Sequence, residues 1–139
     1  MKVVTEKLRL KTKGHTDVTD ITGKLSELLS KQKMNDGNMT VFVVGSTASI
    51  TTIEYEPGLL KDLPEALERL APSGKPYHHD AAWGDNNGYA HIRASMIGPT
   101  LVIPFSGGKL LLGTWQQVVL VDFDNRPRER EVVVQFVGE

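Results

Sequence analysis

The order of strand-like and helix-like segments is the feature that most constrains the fold of this chain. Val4, Leu8 and Leu10 alternate with polar residues, which is the period-two pattern of a half-buried strand. Other β-rich segments lie at residues 39–44 and 50–55, and three more follow one another in the last third of the chain. Strands therefore occur in adjacent runs without βαβ alternation. This order predicts a single α+β domain of packed, mainly antiparallel β-sheets with two or three short helices.

The positions of the later strands follow from the same patterns. Residues 39–44 are continuously β-rich, so we expect a central strand there. Residues 50–55 are predicted to be its hairpin partner, with the polar segment 45–49 as the connection. The residues Ser106-Gly107-Gly108-Lys109 have the composition of a hairpin turn. The remaining strands are expected at residues 100–105, 110–122 with a break, and 130–137.

Helical spacing recurs in three places. The first apolar series ends at the turn of residues 35–38 and consists of Ile21, Leu25, Leu28 and Leu29. Residues 62–65 have the form of a capping box with proline in the first turn. The helix after it would have an apolar stripe of Leu63, Leu67 and Leu70. Residues 89–97 are predicted to form a short helix that Gly98-Pro99 stops, whereas residues 77–88 are predicted to be a loop.

Composition excludes several classes of protein. The chain of 139 residues contains no cysteine, which excludes disulfides, thiolate metal sites and cysteine nucleophiles. Its 16 basic and 17 acidic residues are spread along the chain, and this balance gives no general attraction for nucleic acid. The N-terminus lacks the apolar segment of a signal peptide, and no apolar run is long enough to span a bilayer. We therefore expect a cytoplasmic protein without a membrane partner.

Residues 77–91 contain the densest group of side chains that could carry chemistry. Three of the four histidines of the chain lie there, accompanied by several Asp and Asn residues. His79 and His91 could bind a divalent ion that a carboxylate such as Glu54 completes. They could instead act as general acid and base near neutral pH. A third alternative is a polar surface loop whose histidines are incidental, since no short metal-ligand motif is present.

Three other segments allow more than one interpretation. Residues 45–49 could hold a phosphate through amides and hydroxyls, or form a plain tight turn. Residues 113–117 place Trp115 and two glutamines near an apolar strand, and we expect the tryptophan to pack in the core unless an amide contacts a ligand. The basic residues 126–130 could close over a phosphate or carboxylate, or form a solvated turn or a subunit contact.

Taken together, these segments resemble the YjbQ-like family, also called secondary thiamine-phosphate synthase enzymes. The string Leu-Gly-Thr-Trp-Gln is the most specific of them, and the resemblance covers almost the whole chain. The matching blocks are Ser46-Thr47-Ala48-Ser49 with Glu54 and Asp62, Tyr77-x-His79 with Ala90-His91-Ile92-Arg93, Ile103-Pro104, Gly108-Lys109-Leu110-x-Leu112-Gly113-Thr114-Trp115-Gln116, and Arg128-x-Arg130.

The resemblance implies a compact α+β domain, a homotrimer, and polar clefts near the subunit contacts. It also implies a small phosphorylated metabolite as partner, in a reaction that joins a pyrimidine pyrophosphate to a thiazole phosphate. His79, His91 and Glu54 would be the catalytic residues, and the two histidines would also be the ligands of any metal. The substrate-binding residues would be Ser46, Thr47, Asn86, Gln116 and Arg128.

One position departs from the family pattern. Many members have a histidine at the start of the first block, where this chain has Gly45. If the family site uses three imidazoles, this chain supplies two of them, unless His78, Glu54 or water substitutes. A divalent metal, zinc or magnesium, would then be held more weakly. The alternative function is a non-catalytic trimeric module that binds a small anionic ligand or a metal.

Overall fold

Long strands form where the sequence alternates most regularly between apolar and polar residues. The computed structural model describes residues 1–139, and it contains eight strands and four helices. In chain order these are β1 (Lys2–Thr12), β2 (Asp17–Asp20), α1 (Thr22–Gln32), β3 (Gly37–Val44), β4 (Ala48–Ile53), α2 (Leu59–Leu70), α3 (His78–Trp83), α4 (Gly88–Ile97), β5 (Thr100–Ser106), β6 (Lys109–Leu110), β7 (Gln117–Asp122) and β8 (Arg128–Gly138).

The strands form two antiparallel sheets. The larger sheet has the order β1-β8-β3-β5-β6, and the smaller has the order β2-β7-β4. Every pair of neighbouring strands is antiparallel, so the predicted α+β fold of one domain is confirmed. None of the four helices combines the length and the apolar character that a membrane crossing needs.

Strand β7 is buried on both faces, which sets the layers of the domain. Val118 and Leu120 contribute to the main core, which also contains residues of the larger sheet and of α1. Val119 and Val121 point to the opposite face, where they join a second core with residues of α2 and α4. The small sheet therefore lies between the large sheet on one side and α2 and α4 on the other. This arrangement fixes α4 against the strands.

The predicted hairpin between residues 39–44 and 50–55 is wrong. Strand β3 pairs with β5 and β8, whereas β4 belongs to the other sheet and pairs with β7. Thr47 explains the crossing, because its carbonyl accepts a hydrogen bond from Phe123 N at 2.9 Å and its side chain is buried. Residues 45–49 therefore connect strands of two different sheets and contact the end of β7, so they do not form a hairpin turn.

The helix predictions need three corrections. Helix α2 begins at Leu59, where Glu56 Oε1 accepts the amide, so Pro64 lies inside the helix and not in its first turn. Leu67 is buried as predicted, but Leu70 is largely exposed. Residues 77–88 contain α3 in addition to loop. The predicted helix at residues 89–97 and its end at Gly98 are confirmed by α4.

Trp115 does not pack in the core, because 73% of its surface is exposed. It lies in the irregular segment between β6 and β7, where the strand predicted for residues 110–122 breaks. The turn at Gly107-Gly108 is confirmed: both glycines have positive φ angles of 58° and 72°, as a two-residue hairpin loop requires. Apolar composition alone therefore mislocated the tryptophan, whereas the turn chemistry was informative.

Candidate functional site

A buried polar network lies where β4 begins, β7 ends and β8 begins. Asp122 is completely buried, and the guanidinium of Arg130 pairs with it twice, Nε to Oδ2 at 2.7 Å and Nη2 to Oδ1 at 2.9 Å. Nη2 of Arg130 also donates to Thr47 Oγ1 at 2.6 Å, and Thr12 Oγ1 donates to Asp122 Oδ2 at 2.5 Å. A bidentate pair of this kind orients both groups strongly. The network therefore fixes one end of the small sheet.

Asp124 is the second buried carboxylate of this network. Its Oδ2 accepts hydrogen bonds from Thr47 Oγ1 at 2.9 Å and Asn87 Nδ2 at 3.2 Å. Two guanidinium groups approach the same oxygen, with Arg128 Nε at 3.1 Å and Arg130 Nη2 at 3.8 Å. Burial alone raises the pKa of Asp124, but the hydrogen bonds from Thr47 and Asn87 and the charge of Arg128 outweigh it and lower the pKa. The carboxyl is therefore ionised at neutral pH.

Helices α3 and α4 place two histidines beside this network. The rings of His79 and His91 have centroids 4.3 Å apart and planes tilted by 41°. Nδ1 of His79 lies 3.4 Å from Asp85 Oδ1 and 3.6 Å from Asp80 Oδ1. Burial lowers the pKa of His91, and charge on His79 lowers it further, while Asp85, Asp124 and Asp80 act in the opposite direction. His91 therefore favours the neutral form.

Acidic residues of α3 and of the loop that follows it hold these groups in place. Asp80 Oδ1 accepts the amide of Gly88 at 2.9 Å, and Asp85 Oδ1 accepts the amide of Asn87 at 3.2 Å. Gly88 is needed for this packing, because a β carbon there would lie 2.6 Å from Cβ of Tyr77. Asn87 joins the histidine side to the strand ends, because its amide side chain contacts both Asp124 and the Asn125 backbone.

Three buried side-chain atoms of the protein have no hydrogen-bond partner within it, and all three belong to this region. They are His79 Nδ1, Asp124 Oδ1 and Arg128 Nε. The Arg128 nitrogen is close to Asp124, but its N–H is not directed at the carboxylate as a hydrogen bond requires. Buried polar atoms are normally satisfied, so this concentration marks a place where a ligand, ion or water completes the structure.

The same region can accommodate a cation. One ligand atom each from His79, Asp80 and Asp85 lie within 4.8 Å of one another, giving one nitrogen and two oxygens. Four carboxylates, including Asp122 and Asp124, are opposed by two guanidinium groups, so two negative charges remain when the imidazoles are neutral. The donor set and the charge thus fit a divalent ion. His91 is not part of this ligand group.

A surface cavity of about 210 Å³ opens beside His91. Gly45 and Ser46 form part of its wall, and Ser95 and Pro99 form another part. Ser46 is exposed, so its hydroxyl is free to contact a ligand. The cavity gives a small molecule access to the edge of the histidine pair.

The structure brings together several of the residues that the sequence indicated. Thr47 and Arg128 meet at Asp124, His79 and His91 meet across α3 and α4, and Ser46 lies at the rim of the cavity. Asn86 is exposed, with a positive φ of 54°, whereas the adjacent Asn87 supplies the buried amide. Both positions lay in the predicted polar segment, but the sequence did not indicate which asparagine points inward.

Glu54 and Gln116 are not brought together with the histidines. In the pairing of β4 with β7, Ala48 lies opposite Asp122 and Ile53 opposite Gln117, so Glu54 follows the far end of the small sheet. It lines a separate surface pocket together with Trp115. Gln116 accepts the amide of Gly113 and has Thr52 Oγ1 as its other contact.

Sequence reasoning missed Asp122, Asp124 and Asn87, and it missed Thr12 as a partner of Asp122, whereas Arg130 belonged to the basic segment that it singled out. One signal was present: the apolar strand from Val118 to Val121 ends in Asp122-Phe123-Asp124. Two carboxylates at the end of a strand that is buried on both faces must find cations or donors. The arginines of residues 126–130 directly follow the two carboxylates along the chain, so they were the expected cations.

The chain is similar to proteins of one family along almost its entire length. The family model described as "UPF0047 protein YjbQ-like" matches residues 6–139. A UPF0047 protein of Archaeoglobus fulgidus is 38% identical over 128 residues, covering 92% of this chain and 97% of the relative. Another, from Methanothermobacter thermautotrophicus, is 34% identical over 139 residues, covering 100% of this chain and 95% of the relative.

Solved structures agree with this result. A crystal structure of a YbjQ-like protein of unknown function from Sulfolobus solfataricus P2 superimposes with a TM-score of 0.94 at 31% identity, covering 99% of each chain. A hypothetical protein from Aeropyrum pernix K1 gives a TM-score of 0.91 at 38% identity, with 98% of this chain and 99% of that chain covered. With the family model, the curated relatives and these structures in agreement, the chain belongs to the UPF0047 family of YjbQ-like proteins.

Proposed function

We propose that this protein is an enzyme acting on a small phosphorylated metabolite, with its active site between the α3–α4 histidines and the Asp124–Arg128 pair. The observation that carries the proposal is the location of the three unpartnered buried atoms, which belong to His79, Asp124 and Arg128. A purely structural cluster would satisfy these groups internally, because each buried atom without a partner costs free energy. A ligand that supplies the missing partners would recover that cost.

The proposed reaction is the synthase-like transfer, in which a thiazole phosphate is joined to a pyrimidine pyrophosphate. The ring nitrogen of the thiazole would donate its lone pair to the methylene carbon of the pyrimidine. The bond from that carbon to the pyrophosphate oxygen would break, and the leaving group would take the electron pair. The thiazole nitrogen becomes positively charged, so no proton transfer is needed for the balance. The barrier then depends on positioning and on stabilising the departing negative charge.

Each side chain has a role in this proposal. Arg128, whose side chain is 37% exposed, would bind a phosphate oxygen. His91 would donate a hydrogen bond to the leaving pyrophosphate, and Asp124 would hold the guanidinium of Arg128 in position. Ser46 would add a hydroxyl at the rim of the cavity. Arg128 lies on β8, His91 lies on α4 and Ser46 lies between β3 and β4, so a ligand that contacts all three is held from several directions.

A divalent metal, zinc or magnesium, fits the proposed site through His79, Asp80 and Asp85. These residues supply one nitrogen and two oxygens, and the surrounding carboxylates leave two negative charges unbalanced. When bound, such an ion would supply positive charge for pyrophosphate oxygens. The residues that would hold it differ from the sequence expectation of His79 with His91. Asp80 and Asp85 also bind backbone amides, which would orient their carboxylates as ligands.

Turnover of the two substrates by purified protein tests the proposal. We expect His91→Ala to lower kcat by about 100-fold, the usual size of a positioned acid–base or hydrogen-bonding imidazole. His15→Ala is the matched control, because the His15 side chain is exposed and lines a separate pocket, while its backbone amide, which donates to Asp124 O at 2.7 Å, is kept in the variant. Equal activity of wild type and His91→Ala would contradict the proposal.

A non-catalytic module that binds an anion or a metal is the second candidate. It is favoured by the separation of Glu54 from the histidines, because the sequence hypothesis assigned that carboxylate a catalytic role. Ligand binding without turnover across a panel of phosphorylated metabolites would support this candidate. Turnover of any member at a rate that depends on His91 would exclude it.

The proposed assembly is a homotrimer. Exposed apolar side chains on β5 and the adjacent segment support self-association, with Val102 and Leu111 each 58% exposed. They line a groove of about 310 Å³ together with Ile97 and Gln116. Exposed apolar surface of this kind is typical of contact sites. Sedimentation equilibrium of the untagged protein tests this assignment, and a monomer at micromolar concentration would contradict it.

A further inference from the structure

Arg130 has one guanidinium nitrogen that the protein does not use. Nε and Nη2 donate to Asp122 and Thr47, whereas Nη1 makes no hydrogen bond within the protein. The side chain is only 8% exposed, yet Nη1 is not one of the three fully buried unpartnered atoms. Solvent therefore reaches a charged N–H group whose side chain is otherwise buried and fixed by a bidentate ion pair.

Gly45 is the reason that Nη1 is accessible. A β carbon on residue 45 would lie 2.6 Å from Nη1, closer than two such atoms can approach. Apart from Arg130, and leaving aside the two chain neighbours of Gly45, no atom lies within 4 Å of that position. The φ angle of Gly45 is +150°, which also favours glycine. The missing side chain thus leaves an open gap with a guanidinium N–H at its edge.

The gap is continuous with the proposed active site. Gly45 lines the same cavity as Ser46 and His91. Nη2 of Arg130 lies 3.8 Å from Asp124 Oδ2, the oxygen that Arg128 Nε also approaches. The two guanidinium groups therefore converge on one carboxylate oxygen. Both have nitrogens left for a ligand, since the Nη atoms of Arg128 make no hydrogen bond within the protein.

We propose that Nη1 of Arg130, reached through the gap at Gly45, binds a phosphoryl oxygen of the substrate. This inference rests on the proposed function and deepens it, because it assigns the diphosphate group to a subsite formed by Arg130, Arg128 and Ser46. A phosphoryl group suits this subsite, since several of its oxygens can accept from two guanidinium groups and a hydroxyl together. Gly45 is then a specificity-determining residue.

The balance of charges predicts that this subsite binds an anion only weakly when no cation is bound nearby. The two guanidinium groups are opposed by Asp122 and Asp124, so the local charge is neutral and the attraction comes from directed N–H groups. A cation bound by His79, Asp80 and Asp85 should strengthen anion binding. By linkage, the anion must strengthen cation binding by the same factor.

Calorimetric titration with inorganic pyrophosphate, in metal-free protein, tests the subsite. We expect Gly45→Ala to weaken binding by about tenfold or more, because the new β carbon displaces a charged hydrogen-bond donor. Arg130→Lys should weaken it similarly, since a single ammonium cannot pair with Asp122 and also face the gap. Gly74→Ala is the matched control: Gly74 also has a positive φ, of 78°, but a β carbon there meets no atom within 4 Å.

A second measurement protects the test against loss of folding. The guanidinium signals of Arg130 in ¹⁵N-arginine-labelled wild type should shift when pyrophosphate is added. Unchanged signals, or pyrophosphate affinity in Gly45→Ala equal to that of wild type, would overturn the subsite. Such a result, combined with loss of turnover in His91→Ala, would leave the proposed function standing. Weakened pyrophosphate binding in Gly45→Ala, in a protein that turns over no phosphorylated metabolite, would support the subsite and reject the enzyme.

Discussion

His79 and His91 lie on two different helices, and their imidazole rings have centroids 4.3 Å apart. At this distance, two positive charges would repel each other strongly in a partly buried place. Burial lowers the pKa of His91, and the charge of His79 lowers it further. Because residues 84–87 connect α3 to α4, the distance between the rings depends on the backbone amides that Asp80 of α3 and Asp85 of this connection accept.

We predict that His91 titrates below its ordinary pKa of 6.5 in the metal-free protein, because burial and the His79 charge both lower its pKa. As pH falls below 6.5, the unfolded chain takes up this proton before the folded protein does. The free energy of unfolding should therefore decrease until the folded pKa is reached. NMR titration of the imidazole protons and urea denaturation, compared with His91→Gln, check both statements. A wild type that gains stability relative to His91→Gln in this range would contradict them.

Asp124 should contribute to the pH dependence of stability in a more acidic range than His91. Although burial raises its pKa, the bonds from Thr47 and Asn87 and the charge of Arg128 lower it below 3.8. Its stabilisation is complete above the unfolded value and is lost as pH falls through the folded pKa. We expect Asp124→Asn to cost about 2 kcal/mol at pH 7, because Thr47 and Asn87 lose a charged acceptor and the partly exposed Arg128 loses its counter-charge.

The control for this prediction is Asp62→Asn, in the first turn of α2, which should cost less than about 1 kcal/mol. Urea denaturation at several pH values compares the two variants with wild type. The difference between wild type and Asp124→Asn should shrink toward pH 3. A constant difference over the whole acid range would mean that the carboxylate charge is not the cause.

Metal content should depend on α3 and its loop and not on His91. We expect untagged wild-type protein to bind a divalent ion, and we expect His79→Ala and Asp85→Asn to lose it, because these residues belong to the three-ligand group. His91→Ala should retain the ion. Elemental analysis after dialysis measures this difference. Loss of metal in both His79→Ala and His91→Ala, with metal retained in Asp85→Asn, would instead support the ligand pair His79 and His91 that the sequence suggested.

Arg93 is predicted to be structural, although it belongs to the histidine block of the sequence. Its side chain is 4% exposed and donates to Ala71 O and Thr16 Oγ1, both at 3.0 Å, and to Glu68 at 2.6 Å. Arg93→Lys cannot make all three bonds, and we expect it to cost about 3 kcal/mol because buried acceptors lose their donor. Thermal denaturation should show the loss, while pyrophosphate affinity stays unchanged. Altered affinity in a folded Arg93→Lys protein would contradict this assignment.

The sequence predicted strands well where a local pattern decides them. The alternation around Leu8 and Leu10, the Gly107-Gly108 turn and the stop at Gly98 were all correct. The partner of a strand is not a local property. Residues 50–55 were assigned to the nearest strand, but side chains that bond across 77 residues, such as Thr47 with Asp124, determined the sheet.

The residues of the candidate site likewise fall into those that the sequence identified and those that it did not. Histidines stand out in a sequence, so His79 and His91 were identified by type and by family resemblance. Asp122, Asp124 and Arg130 look like ordinary charged residues, and only burial makes them informative. Their contribution depends on β7 ending where β8 and β4 begin, and β4 is distant from both in sequence. Gly45 is the hardest of these residues to identify from sequence, because it leaves Arg130 accessible only by having no side chain.

Glu54 provides the sharpest test of the sequence hypothesis against the structure. Glu54 lies seven positions after Thr47 at the other end of β4, which places the two residues about 23 Å apart along an extended strand. We therefore expect Glu54→Ala to leave metal content and pyrophosphate affinity unchanged in the isolated protomer, because no atom of Glu54 can reach the histidines. Elemental analysis and calorimetry measure both, with Glu27→Ala on the exposed face of α1 as the control. If Glu54→Ala alone abolishes turnover in the assembled protein, a partner subunit must bring this carboxylate to the site, and the active site would lie at the subunit contact.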